Sequence, residues 1–421
     1  MTRGALLACV IAIAACGSKK RQQRTSDAAP VEPITAPSIA DGGAAKGTSD
    51  EIEPNDTQDT AMELAPGSSI HGRVEPVDTD TDSFRIEIAE AGVLALDLGA
   101  VPQTDLILEL HDAGGVVVAR SDRLLPNVKE GIPNFAVTKG RYTAVVKGRK
   151  VLIKGKPLKP APPILPYDLS AQLVKAVANA EREPNDDRGT ANDLIVGDGV
   201  TGWIGWTADA DVWKLSIEAL SAKNTLDIEI GAVESVALTF ELADAVGKPL
   251  LVRKGPRGAG LNVRGLHLDV TDGAPPFHYL TVKGAPSNPD TAYSLRAVPK
   301  NLETDAELEP NDTIEKPMPI PDDRTVVNAQ WSPGDIDCFA VTPEAGNRML
   351  EITIDVPGEA DLSAELVVDG KVIAKSETKG KGVAEKLKGA VPPNAKAIIR
   401  VHGSDTGGEG SYEIKVVEGG N

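Results

Sequence analysis

The hexapeptide E-x-E-P-N-D occurs three times, at residues 51–56, 181–186 and 307–312, in steps of 130 (181 − 51) and 126 (307 − 181) residues. Spacing of this size belongs to whole domains in tandem, because the repeats of a solenoid recur about every 20–50 residues. Further landmarks follow each hexapeptide in a fixed order. A D-x-D pair with an aromatic comes first: Asp80, Asp82 and Phe84; Asp209, Asp211 and Trp213; Asp335, Asp337 and Phe339. Next come stretches that turn about a glycine, DLILELHDAGGVVVA, SVALTFELADAVGKPLL and DLSAELVVDGKVIA. Tyr167, Tyr293 and Tyr412 then each head a closing Y-x-[LI] strand.

Within a unit the apolar residues alternate. FRIEI places Phe84, Ile86 and Ile88 on one strand face, and WKLSI does the same with Trp213, Leu215 and Ile217. The chain is 41% hydrophobic but only 3% aromatic, with 41 glycines and 31 prolines, so its cores rest on aliphatic side chains between many turns. These features predict an all-β chain of three antiparallel β-sandwiches over residues 49–174, 179–300 and 305–419, with one short helical turn after each hexapeptide.

The formal charge is −18, and residues 1–48 carry +3 of it, which leaves −18 − 3 = −21 for the rest. Such a surface repels nucleic acid and attracts cations. The N-terminus, MTRGALLACVIAIAACGSKK, has an apolar run too short for the roughly 20 residues of a membrane span, and reads as a targeting segment. Ile13-Ala14-Ala15-Cys16 resembles the lipobox of bacterial lipoproteins. That resemblance implies a signal peptide over residues 1–15, cleavage before Cys16 and acylation of Cys16, and Gly17 resembles the outer-membrane sorting pattern. Residues 16–48 then form a lipidated, flexible and disordered tether, and the expected location is the cell envelope at the outer membrane. With Cys9 removed and Cys16 acylated, Cys338 is the remaining thiol and no intrachain disulfide is possible.

In an extended segment residues i and i+2 share a face, so Glu51 and Glu53 project together, and Pro54-Asn55-Asp56 is turn chemistry that folds more oxygens back toward them. Asp82 lies on the face that Phe84 and Ile86 continue, which predicts a partly buried carboxylate. Should the two segments meet, five carboxylates and an amide converge, and a divalent cation relieves their repulsion. Oxygen donors without histidine or cysteine suit Ca²⁺. The competing reading makes the hexapeptide a solvated domain boundary with a cap and the D-x-D pair a polar hairpin lip. A ligand set recurring with its partner three times favours metal.

The order E-x-E-P-N-D, then G-D-x-D-x-F at residues 334–339, then Y-x-L resembles the bacterial pre-peptidase C-terminal domain family. The resemblance spans nearly all of the chain beyond the tether and implies three tandem jelly-roll-like β-sandwiches that bind calcium. Carried over position by position, the implied metal ligands are Glu51, Glu53, Asn55, Asp56, Asp80 and Asp82 in the first unit. In the second they are Glu181, Glu183, Asn185, Asp186, Asp209 and Asp211; in the third, Glu307, Glu309, Asn311, Asp312, Asp335 and Asp337. No protease domain accompanies the modules.

Enzymatic signals are weak. GDGVTG spells a dinucleotide fingerprint without the required strand-to-helix context, and the five histidines never fall at HExxH spacing. G-x-S-x-G is absent, and Cys338 reads as an apolar filler. Two features suit a protein or polysaccharide ligand: the basic connection carrying Lys150, Lys154, Lys156 and Lys159, and Trp203, on the strand face opposite Ile204. An extended solvated hairpin and packing against a neighbouring segment are their respective plainer readings. The expected function is a non-catalytic envelope lipoprotein whose modules bind or scaffold. The alternative is an accessory subunit that recruits an exported hydrolase.

Overall fold

The computed structural model describes residues 47–149, 151–153, 156–157, 165–320, 327–403 and 408–418. The targeting segment and most of the tether, with Cys16, and also Lys150, Lys154 and Lys159 lie outside the described residues. Of Lys156 only the backbone is described: Leu152–Ile153 pairs antiparallel with Lys156–Pro157.

The described residues form strands and turns and no helix. In the first repeat one sheet runs in the order Met62–Glu63, Thr81–Ile88, Gly140–Arg149, Asp105–His111, Val117–Ser121. The facing sheet runs Thr48–Asp50, Ser68–Gly72, Tyr167–Val174, Gly92–Leu98, Glu130–Val137. The second and third repeats reproduce this order, except that an isolated parallel bridge (Ala180 to Thr201, Ala306 to Asn328) replaces the strand Thr48–Asp50. Each repeat has its own core: Leu64 to Ala171, Leu194 to Ala297 and Met318 to Val416.

Alternation governs these strands. Phe84, Ile86 and Ile88 are buried in line with Asp82, and Trp213 and Leu215 are buried in line with Asp211. The expected helical turn is instead a single hydrogen-bonded turn. Thr60 N–H donates to Thr57 O (3.1 Å), Thr190 N–H to Asp187 O (3.2 Å) and Lys316 N–H to Thr313 O (3.1 Å). A short strand parallel to the D-x-D strand follows at once, so its ladder takes the next backbone groups and the turn cannot extend.

A second recurring device ties the two sheets at their edge. Ser121 donates to Glu130 (Oγ to Oε2, 2.5 Å), whose other oxygen accepts from Arg123 N–H (3.0 Å). Ser376 and Glu385 repeat the pair in the third module. In the second module the register places Arg253 where these serines stand, since Leu108 pairs with Ser121, Phe240 with Arg253 and Ala364 with Ser376. Leu261 likewise stands where Glu130 and Glu385 stand.

Replacing Ser121 by alanine leaves a fully buried carboxylate short of one donor. The first module is expected to lose about 1–3 kcal/mol in urea unfolding. A loss below about 0.5 kcal/mol, the scale of an ordinary surface change, would contradict this role for the pair.

Candidate metal centres

Each hexapeptide is pinned to its D-x-D strand by one backbone hydrogen bond. Ser83 N–H donates to Asn55 O (3.0 Å), Val212 N–H to Asn185 O (3.1 Å) and Cys338 N–H to Asn311 O (3.1 Å). Two more bonds shape the segment. The asparagine N–H donates to the second glutamate: Asn55 to Glu53 (2.8 Å), Asn185 to Glu183 (2.7 Å) and Asn311 to Glu309 (2.8 Å). The first glutamate accepts from the strand across: Arg73 N–H to Glu51 (2.5 Å), Trp203 N–H to Glu181 (2.7 Å) and Gln330 N–H to Glu307 (2.9 Å). In the first two modules the glutamates therefore converge on the second aspartate of the D-x-D pair, although they lie far from it in sequence.

Among the described residues, four groups bring carboxylate oxygens within 4.8 Å of one another: Glu51, Glu53 and Asp82; Glu181, Glu183 and Asp211; Glu183, Asp186 and Asp209; Glu309, Asp312 and Asp335. Each asparagine is also buried with an amide oxygen that no protein donor reaches, at Asn55, Asn185 and Asn311. At Asn185 and Asn311 the amide nitrogen is committed to Glu181 (2.7 Å) and Glu307 (2.9 Å), which leaves Oδ1 aimed elsewhere. Buried acceptors without donors are rare in folded proteins. An all-oxygen set of carboxylates and an amide carbonyl fits a hard divalent cation.

Not every expected ligand joins these groups. Asp56 is exposed and stands outside the first. Asp80 also stands outside it, because its carboxylate accepts from Glu75 N–H (2.5 Å) and Thr81 N–H (3.0 Å). Glu307 and Asp337 lie outside the third module's group.

The closing tyrosines belong to the centres. Tyr167 donates to Asp82 (2.5 Å) and Tyr412 to Asp337, while the Tyr293 hydroxyl accepts from Trp213 Nε1 (3.0 Å). Spacing marks these residues only as core aromatics. The recurring glycine opposite the tyrosine is the available signal, since a Cβ at Gly72 or Gly202 would overlap the Tyr167 or Tyr293 hydroxyl. The third module carries Ala329 at this register position.

Burial governs the protonation of the centres. It pushes Asp82 up to about 8, against the Tyr167 hydrogen bond and with help from the charges of Glu51, Asp80 and Glu53. Asp209 and Asp211 are driven well above the usual carboxylate range, first by burial and then by the glutamates beside them. Glu309 and Asp337 are raised by burial in the same way.

The remaining candidates fall elsewhere. Trp203 is buried, only 5% exposed, and borders a small cavity with Val93, Pro133, Asn134, Val174 and Val177 of the first module. It is therefore a junction residue and not an exposed ligand platform. Alternation places it correctly on the outer face, but the preceding module covers that face. Cys338 is buried with Val367 and Ile398, and burial pushes its thiol up to about 12.

No protein-family model and no curated protein matches the chain. Among solved structures it is similar to the pre-peptidase C-terminal domain of a collagenase from Bacillus anthracis. That match has 15% identity and a TM-score of 0.21, and covers 29% of this chain and 100% of the other. It is also similar to the N-terminal CBM22-1-CBM22-2 tandem domain of Xyn10C from Paenibacillus barcinonensis, at 11% identity and a TM-score of 0.16, covering 49% and 81% of the two chains.

Two outcomes are expected here. Gly202→Ala should lower the second module's stability by about 1–3 kcal/mol in denaturant titration, as overpacking does. The second outcome concerns pH. Without divalent metal, folded Asp82 holds its proton up to about pH 8, whereas the unfolded carboxyl releases it near 3.8. Its contribution is therefore fully present below pH 3.8 and lost as pH rises through 8. Asp82→Asn should gain on the wild type in chelator as pH climbs through that window, each pKa unit being worth about 1.4 kcal/mol. A pH-independent difference would contradict the burial of this carboxylate.

Proposed function

We propose that the chain is a non-catalytic lipoprotein of the bacterial cell envelope whose β-sandwich modules are stabilised by calcium and serve as a binding or scaffolding element. The observation that carries this reading is the donor set of the first two modules. Carboxylates from the hexapeptide and the D-x-D strand meet beside a buried asparagine amide oxygen that no protein donor reaches. Assembling such a group without a cation leaves charges to be neutralised by protonation, whereas Ca²⁺ accepts 6–8 oxygens in irregular geometry. Glu51, Glu53, Asn55 and Asp82 would hold the ion in the first module; Glu181, Glu183, Asn185, Asp209 and Asp211 would hold it in the second.

The envelope location rests on the lipobox resemblance around Cys16, and anchoring through acyl chains there makes the membrane a partner. A non-catalytic role agrees with the absence of HExxH and G-x-S-x-G from the sequence. The acidic surface disfavours nucleic acid and leaves a protein or polysaccharide as the class of ligand for the modules.

Thermal unfolding with and without chelator tests the calcium reading. A ligand at 100-fold over its Kd adds about 2.7 kcal/mol, so removal should lower the melting temperature by on the order of 10 °C. Asp211→Ala should abolish the calcium response of the second module and leave that of the first. Unchanged melting in chelator would remove calcium from the account.

A further inference from the structure

The three modules do not meet their acidic clusters with the same neighbours. In the first hexapeptide Glu53 is exposed. The second and third are each laid against the preceding module by the same backbone bridge. Glu183 N–H donates to Asn134 O (3.0 Å) and Ala136 N–H to Glu183 O (2.7 Å); Glu309 N–H donates to Gly265 O (2.9 Å) and His267 N–H to Glu309 O (2.7 Å). The second glutamate of the hexapeptide thus lines a cluster with its side chain and joins two modules with its backbone.

What the preceding module sends into the cluster differs at the two junctions. At the first it is a neutral amide, Asn134 Nδ2, which donates to Glu181 (2.9 Å). At the second it is a guanidinium. Arg253, 2% exposed, reaches across from the strand Pro249–Lys254 and pairs through Nη2 with Glu309, with Asp312 (3.0 Å) and with Asp335 (2.6 Å). Its Nη1 also donates to Asp312 (3.3 Å). These three acids are the whole of the third module's convergent group. Glu307, Glu309 and Asp337, the counterparts of Glu181, Glu183 and Asp211, do not draw together as those do.

The register explains how an arginine comes to be there. Arg253 occupies the strand position that holds Ser121 and Ser376 in the other modules, and Leu261 replaces the glutamate those serines engage. With no carboxylate in its own module to satisfy it, a buried guanidinium must find acids elsewhere. The next module's cluster supplies them.

We infer that Arg253 is the resident cation of the third module's acidic site, standing at the position where the second module gathers Glu183, Asp186 and Asp209, and fastening the second module to the third. The third module's group therefore does not fit a bound metal as those of the first two modules do, and the clamp holds without one. This inference rests on the metal reading of the first two modules only for its comparison; the arginine contacts stand by themselves.

The test measures calcium bound per full chain by equilibrium dialysis, with calcium as the sole probe. Arg253→Ser, which restores the residue of the sister modules, should bind one more calcium per chain than the wild type, and Arg253→Lys should not. In chelator, Arg253→Ser should melt lower than wild type and recover when calcium is added. An unchanged count in Arg253→Ser would overturn the inference. A second measurement avoids altering the arginine: Asp209→Asn should lower the wild-type count, whereas the matched Asp335→Asn should not, and a drop in Asp335→Asn would also overturn it. A wild type that binds no calcium while Arg253→Ser binds one would contradict the metal reading of the first two modules and support the arginine as the third site's cation.

Discussion

Carboxylates gathered inside a β-sandwich set the terms for the rest of this structure. A strand face that runs from Asp82 into Phe84 and Ile86 carries its charge into the core, and Asp211 and Asp337 repeat that placement. Charge in such a position must be protonated, paired or bound to metal. The three modules illustrate different solutions built on one backbone. In the first, the cluster stays open to water at Glu53. In the second, the preceding module closes over it and leaves oxygen donors facing each other. In the third, an arginine from the preceding module enters.

The hexapeptide recurs because it performs two tasks at once. Its asparagine carbonyl pins the segment to the D-x-D strand in all three copies, and in the second and third its second glutamate bridges by backbone to the preceding module. In those two copies the acidic cluster and the module joint are therefore one piece of chain. Side chains reinforce the first joint: Lys129 pairs with Asp290 (2.5 Å), Thr207 donates to Asp122 O (2.7 Å), and Trp206 packs against the first module's core. Exposed pairs such as Lys129 with Asp290 add little. Burial of Trp203 and Trp206 contributes more, since aromatic side chains remove large apolar areas from water.

Much of this was legible in the sequence. The period-2 alternation of FRIEI and WKLSI specified strands, and the ordered landmarks specified repeats, because both depend on local backbone geometry. The shared face of Glu51 and Glu53 and the inward face of Asp82 followed from the same reasoning, whereas the meeting of the two segments stayed conditional. Long-range contacts were not legible. Arg253 sits in LLVRK, where a strand charge reads as solvated, and nothing nearby reveals that its own module lacks a carboxylate to hold it. Trp203 lies on an outer face that only the neighbouring module buries. Asp80 has the right spacing, yet the backbone amides of Glu75 and Thr81 claim its carboxylate first. The tyrosine hydroxyls escaped notice because an aromatic at a strand start gives no sign of where its polar end points.

The central claim is that the hexapeptide and the following D-x-D strand close around a cation. Anomalous diffraction from crystals grown with calcium tests it most directly. The account predicts a peak among Glu181, Glu183, Asn185, Asp209 and Asp211, and none between Glu309 and Asp335, where Arg253 lies. A difference map without a peak in the second module, with its carboxylates splayed toward solvent, would contradict it.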